Sequence, residues 1–573
     1  MKKNKLYIKL ILVLSLFIGS SCETLELDKS KDPFSLTPDQ ADVEFLFNGL
    51  QEDFARQIEG DGDYSTGDNW QSGGATAGDG LSLFGGQLTR MYGLTNSGAA
   101  TYNSAFNASD SDDEWLNVYS GILLNIRAMT PLAEAQDKTH HIGIAQFIEA
   151  YTMTAMVDFY GDIPYTEALL GADNLNPAAD SGASVYAACI ALLDKAILNF
   201  KSTAKSEPSD LFYNNDYEKW IKAANTLKMR LYLQTRLVDS DAINKFNTIV
   251  NSGDYINDSA DDLVYNWFGT NTSNPDNRHP RYGLNYTTTG AADYLSNWFM
   301  GTMNNLKDPR IRYYYYRQES AVPGQEIDPN EAILPCSLNS APAHYIAGGF
   351  TFCGLKNGYW GRDHGDVSGS PADGFKKTTF GVYPAGGKFD ADQFTDITPT
   401  SGGKGKGITP ILLASWVDFM KAEVALVQNN PALAKTEMIN GMNKSISKVI
   451  SFGQLDPDYS DAKDAFEPSS SAITDYIDFI SNSWETADNA GKWNIFAVQY
   501  FFNVYGNGIE SYNFYRRTGY PTSLQPMLQP TPGGFMRSLY YPSNSANNNS
   551  SITQKPNQTV PVFWNTNSSP IAN

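Results

Sequence analysis

Cysteine and histidine are scarce in this 573-residue chain, with four of the first and five of the second. So few thiols exclude a disulfide-framework scaffold and a cysteine-rich zinc module, both of which need several at short spacing. Cationic charge is also short: 42 Lys and Arg stand against 63 Asp and Glu, a formal net charge of −21. Nucleic acid is therefore excluded as a partner, because its phosphates need a basic surface. Docking onto anionic lipid by charge alone fails for the same reason. Gly-x-Ser-x-Gly, His-Glu-x-x-His and P-loop patterns are absent, so three familiar catalytic signatures are missing. A glycoside hydrolase needs only two carboxylates at the right separation, and that class stays open.

Long apolar runs are lacking too, apart from one at the N-terminus. Met1-Lys2-Lys3-Asn4-Lys5 is a cationic start, Leu10–Ile18 is apolar except for Ser15, and Gly19-Ser20-Ser21 leads directly into Cys22. A spanning helix needs about 20 apolar residues, so this segment reads as a cleaved signal. The cysteine after small residues resembles a bacterial lipobox, although Gly19 stands where a Leu is usual. Cys22 is the expected lipidation site, 1–21 the signal peptide and 22–35 a polar, lipidated tether. Removing residues 1–21 leaves 552 residues with 38 basic and 63 acidic side chains, a charge of −25. Membrane attachment must then come from acyl chains. No later stretch is expected to be apolar enough to cross a bilayer.

Aromatics are abundant, with 33 Tyr, 30 Phe and 10 Trp. They suit cores and sugar-stacking surfaces alike. Helical periodicity predicts a helix from Thr37 with Pro38 in its first turn, then helices at 114–136, 141–160, 183–203, 216–237 and 240–251. Further helices are expected at 409–428, 431–447, 472–487 and 490–517. Residues 58–108 read as long loops. His140 and His141 are expected at an exposed helix start. Tyr313–Tyr316 alternates as a strand would, half buried and half displayed. Cys189 sits in an apolar run and reads as a core thiol. Cys336 and Cys353 could pair, which their spacing leaves undecided. The fold class is mostly α: one domain over 36–573, with a tetratricopeptide-like helical-pair scaffold at about 36–57, 114–251 and 409–520. A loop-rich subdomain at about 252–408, with short helices and hairpins, is inserted in it.

Five segments carry a family resemblance. They are Asp158–Ala168 (DFYGDIPYTEA), Trp220–Leu231 (WIKAANTLKMRL), Leu412–Ala425 (LLASWVDFMKAEVA), Gly508–Pro521 (GIESYNFYRRTGYP), and Arg537–Asn544 with Val562-Phe563-Trp564. In this order and behind a lipobox, they resemble the SusD/RagB family of nutrient-binding outer-membrane lipoproteins. The resemblance implies a mostly α-helical protein that is not an enzyme, with a tetratricopeptide-like scaffold and large loop-rich insertions carrying the ligand-binding face. It implies a cell-surface lid on a SusC-type TonB-dependent outer-membrane transporter, capturing an oligosaccharide or a peptide. The motifs themselves read as helix punctuation: Gly161 as a C-cap, Asp162 bonding local backbone, Arg516 and Arg517 at a negative helix end.

The chemistry is expected in loops. Tyr359-Trp360-Gly361-Arg362-Asp363-His364-Gly365-Asp366 sets charges of both signs and two aromatics among glycines. Ligand contact through Tyr359, Trp360, Arg362, Asp363 and His364, a structural calcium at Asp363 and Asp366, catalysis, and a salt-bridged loop all compete here. Trp70 is a second candidate, a stacking platform in an acidic loop. Tyr294 and Trp298 are a third, expected four residues apart on one short helix, where core packing competes with ligand stacking. No cofactor is expected beyond that calcium. A surface hydrolase, or a transporter lid without its own ligand, remain the alternatives to capture.

Overall fold

The computed structural model describes residues 42–60, 80–95, 98–269, 276–321, 334–369 and 371–567. Cys22, the tether, Trp70 and the helix start expected at Thr37 lie outside the described residues. Helix α1 spans Val43–Glu59 and begins at Asp42, whose carboxylate accepts from the Glu44 N–H at 2.8 Å. Helix α2, Gly80–Leu88, is buried throughout, where loop was expected. A helical run from Asp112 passes through one π turn into α3, Leu123–Ala135. Then come α4 (Thr139–Tyr160), α5 (Gly182–Phe200), α6 (Tyr217–Thr235) and α7 (Ala242–Ser252).

Adjacent helices pack in pairs, α4 on α5, α5 on α6 and α6 on α7, as tetratricopeptide-like units do. Helix α4 is buried on nearly every side, including Ala145, Ala150 and Ala155. Helix α5 is long and apolar enough, by length and composition alone, to cross a membrane, which corrects the expectation that no later stretch would be. One face of it, Val185, Cys189, Leu193 and Ala196, is buried within this stack. The motif Gly161 closes α4 with a positive φ of 81° and an N–H bond to the Val157 carbonyl. Asp162 reaches farther than expected and accepts from the Gly182 N–H at the start of α5.

Residues 252–408 hold short helices and α8 (Asn297–Leu306). Their strands pair at long range instead of in hairpins. Strand β1 (Leu263–Asn266) runs antiparallel to β4 (Ile408–Leu412) with a register shift after Leu263, and β2 (Tyr315–Tyr316) pairs with β3 (Thr379–Phe380). Helix α9 (Ala414–Val427) packs on α10 (Pro431–Ser451), so the start of the helix expected at 409 is strand. Helices α11 (Ser470–Thr486), α12 (Asn489–Asn503) and α13 (Gly508–Thr518) follow. The helix expected over 490–517 is thus two, broken where Gly506 takes a φ of 98° and Asn507 caps α13.

Other expectations change with burial. His141 is fully buried and bonds Glu44, while His140 Nδ1 lies 2.9 Å from Glu207. The helix start they occupy is covered, because both rings have carboxylate partners. Tyr313–Tyr316 is buried at all four positions, half helix and half strand. Each of its outward turns meets more protein instead of solvent, as Tyr314 stacked on Tyr505 illustrates. Cys189 is a buried free thiol, and Cys336 and Cys353 form a disulfide.

The five sequence motifs converge in one buried polar core. Asp158 accepts from Tyr186, from Asn513 at 2.6 Å and from the Trp564 indole at 2.9 Å, with Arg230 at 3.5 Å. Arg230 also pairs with Glu510. Arg516 donates to the carbonyls of Asp158 and Arg537. Arg517 and Arg236 both clasp Glu423, and the two guanidinium groups hold its carboxyl below the ordinary range against the effect of burial. Arg516 and Arg517 therefore do more than complement a helix end. Groups this deeply buried persist only when paired, so the motifs lock α4, α6, α9, α13 and the C-terminal segment together.

Candidate ligand-binding site

The charged loop after Tyr359 is folded inward. Arg362 lies with its guanidinium carbon 4.0 Å from the Tyr294 ring centroid and donates to the Tyr294 hydroxyl and the Gly369 carbonyl. The Tyr294 hydroxyl and the Trp360 indole both donate to Asp373, at 2.7 and 3.2 Å. Lys377 sits 3.9 Å from the same ring, and burial depresses its ammonium pKa against the pull of Asp373. The structure thus gathers Tyr294, Trp360 and Arg362 into one buried cluster with Asp373 and Lys377.

Asp363 and His364 form a second buried group around Gln525. Asp363 Oδ1 accepts from Asn297 and Gln525, and its Oδ2 from the Cys353 N–H. Burial raises its carboxyl despite these donors. The His364 imidazole lies 3.2 Å from the Tyr102 hydroxyl; burial first, then the nearby Arg90, push its pKa well down, so the ring is neutral. Asp366 accepts from the backbone and hydroxyl of Ser368. Calcium asks for six to eight oxygens, and among the described residues no three His, Cys, Asp or Glu side chains gather for a metal. Trp298 lies apart, donating to the Ser523 carbonyl. Tyr294 precedes the helix that bears Trp298 and does not share its face, because α8 begins only at Asn297.

Two concavities open beside these groups. A cavity of about 310 Å³ is lined by Gln87, Tyr92, Thr95, Asp293, Tyr294 and Phe380. A larger cleft of about 590 Å³ lies where the end of α8, the segment 311–320 and the loops at 357–359 and 392–394 meet. Tyr359 lines this cleft, which places one sequence candidate at its wall. Arg317 is sandwiched there, 4.9 Å from the Tyr359 ring and 5.0 Å from the Phe394 ring. Arg317 also binds the buried Asp390 through two nitrogens, and it contacts Asp392. Arg312 grips Asp392 bidentately at 2.8 and 3.2 Å.

The backbone around the cleft is unusual. Lys307, Asn357, Asp392 and Phe394 have φ of 56°, 67°, 55° and 50°, four of the twelve positive-φ residues other than glycine among those described. Each such residue costs on the order of 1–3 kcal/mol and persists where the surroundings over-determine it, often at ligand clamps. Sequence reasoning passed over these residues. The available signal was the tyrosine run itself, Arg310-Ile-Arg312-Tyr₄-Arg317, which carries arginines at both ends.

Comparison with known families bears on this geometry. A family model described as "Starch-binding associating with outer membrane" matches residues 83–328, and one described as "Susd and RagB outer membrane lipoprotein" matches 385–561. The chain belongs to the SusD/RagB family. Its fold agrees with solved family structures. A chitin-binding protein is 18% identical, with a TM-score of 0.63, covering 92% of this chain and 100% of its own. A chitin-binding SusD homologue from Flavobacterium johnsoniae is 17% identical, with a TM-score of 0.60 over 91% and 99% of the two chains. A SusD homologue from Bacteroides uniformis is 20% identical, with a TM-score of 0.61 over 91% and 99%. Comparison with curated proteins gives no match. For this SusD/RagB protein, the helical-pair scaffold and the loop-rich insertion are therefore family architecture.

Proposed function

We propose that this SusD/RagB protein captures a glycan at the outer-membrane surface and hands it to a SusC-type TonB-dependent transporter. Lipid on Cys22 holds it there. Family membership carries the reading. The concavities support it: their size falls in the range of about 300–1,000 Å³ usual for small-ligand sites. Their walls combine aromatic side chains with amides, hydroxyls and paired charges, the mixture that covers an apolar sugar face and bonds its hydroxyls. The mechanism is capture without bond cleavage.

Calorimetry with a panel of oligosaccharides tests this, starting from N-acetylglucosamine oligomers because two structural neighbours are chitin-binding proteins. Binding with intact ligand recovered afterwards is expected. Shortened products would point to a surface hydrolase, and binding only to peptides would replace the glycan while keeping delivery.

A further inference from the structure

We propose that the larger cleft is a subsite for an acidic sugar, a uronic-acid unit within the captured glycan; this rests on the glycan-capture reading. The first observation is charge. Lys307, Arg312 and Arg317 line the cleft together with Asp308 and Asp392; with the buried partners counted, Arg310 on Asp308 and Asp390 on Arg317, four cations meet three carboxylates, so its wall carries an excess of one positive charge within a chain of net −21. Asp390 is fully buried and committed to Arg317. Lys307 is exposed and has no ion-pair partner among the described residues. Such a cation, set in a concave wall of an acidic protein, attracts an anion that the rest of the surface repels.

The second observation is the type of anion. Arg312 already holds one carboxylate, Asp392, in the planar two-point geometry that suits carboxylates, and it remains partly exposed at the wall. A ligand carboxylate between Lys307 and Arg312 would extend this array. Phe394, half-buried beside Arg317, offers an apolar face for the sugar ring, and Asn304, Asn357 and Ser320 offer hydroxyl partners. The third is preorganisation: Lys307 and Phe394 both sit on left-handed backbone, so the points from which the cation and the stacking ring leave the chain are set before a ligand arrives.

Calorimetry on the full chain would compare oligomers of galacturonate and of glucuronate with their methyl esters, which remove only the charge, and with chitohexaose. At least one acid oligomer is expected to bind about tenfold or more tighter than its ester, with the margin shrinking as salt rises. Lys307→Ala should reduce that margin to about twofold without changing the melting temperature, and Lys307→Arg should restore it. Equal binding of acids and esters, or a preference untouched by Lys307→Ala, would overturn the acidic subsite. If chitohexaose binds and neither acid does, the subsite falls while glycan capture stands. If no glycan binds, capture itself falls.

Discussion

His279 shows at the scale of one residue how burial sets chemistry. It precedes a short helix, accepts from the Arg281 N–H through Nδ1 at 3.2 Å, and is fully buried. Burial, reinforced by Arg281, lowers its pKa from 6.5 to about 3. The folded protein therefore binds fewer protons at this site than the unfolded chain. Its contribution to stability is complete above the unfolded value and is lost as pH falls from about 6.5 toward 3. Between pH 6.5 and 4.5 this one group should cost on the order of 2–3 kcal/mol. His279→Asn keeps a helix-capping acceptor and should flatten the fall in melting temperature over that interval. Parallel pH profiles for the two proteins would refute the assignment. The sequence shows that His279 exists but not that it is buried. His140, His141 and the Tyr359–Asp366 loop share that limit, since their cover comes from Glu44, Glu207, Tyr294 and Gln525, residues far away in the chain.

At the scale of elements, periodicity located the long helices because a 3.6-residue repeat is local information. It passed over α2, where four glycines and serines in Gly-Leu-Ser-Leu-Phe-Gly-Gly-Gln-Leu suggest loop. Tertiary packing reverses that propensity. Helix α2 lies against α13 so closely that a Cβ on Gly508 would stand 2.0 Å from the Ser82 carbonyl oxygen and 2.2 Å from the Gly86 nitrogen. Backbone cannot retreat as a flexible side chain can. Gly508→Ala should therefore destabilise by about 1–3 kcal/mol or more. Gly49, inside α1, offers the opposite case, since its added methyl would meet only the Asn125 amide at 3.7 Å. Gly49→Ala should stabilise by about 0.5–1 kcal/mol through helix propensity. Denaturant titration of both variants checks the pair. A neutral Gly508→Ala would mean that α2 and α13 are less tightly apposed. The candidate site was legible only in part for a related reason: Tyr359 carries an evident aromatic signal, whereas Lys307, Arg312 and Asp392 become a cleft only when three separate segments meet.

At the scale of the whole molecule, the family motifs and the candidate site divide the labour. The five motifs make a buried polar lock among helices, so their residues can be read from sequence and assigned to architecture. The cleft sits in the insertion, away from that lock, where sequence can vary without unfolding the scaffold. Neither part offers a membrane-binding surface by charge: removal of residues 1–21 leaves 38 basic against 63 acidic side chains. A protein of this charge would be repelled from anionic lipid, so on the proposed reading the acyl chains of Cys22 must supply the attachment. Cys22→Ala should shift the protein from the membrane fraction to the soluble one. Its melting temperature and glycan affinity should be unchanged, because the lock and the cleft lie between residues 158 and 564. Cell fractionation in a strain lacking any partner transporter makes the test clean. Retention of the variant on membranes there would show that a protein surface, not the lipid, holds the chain in place.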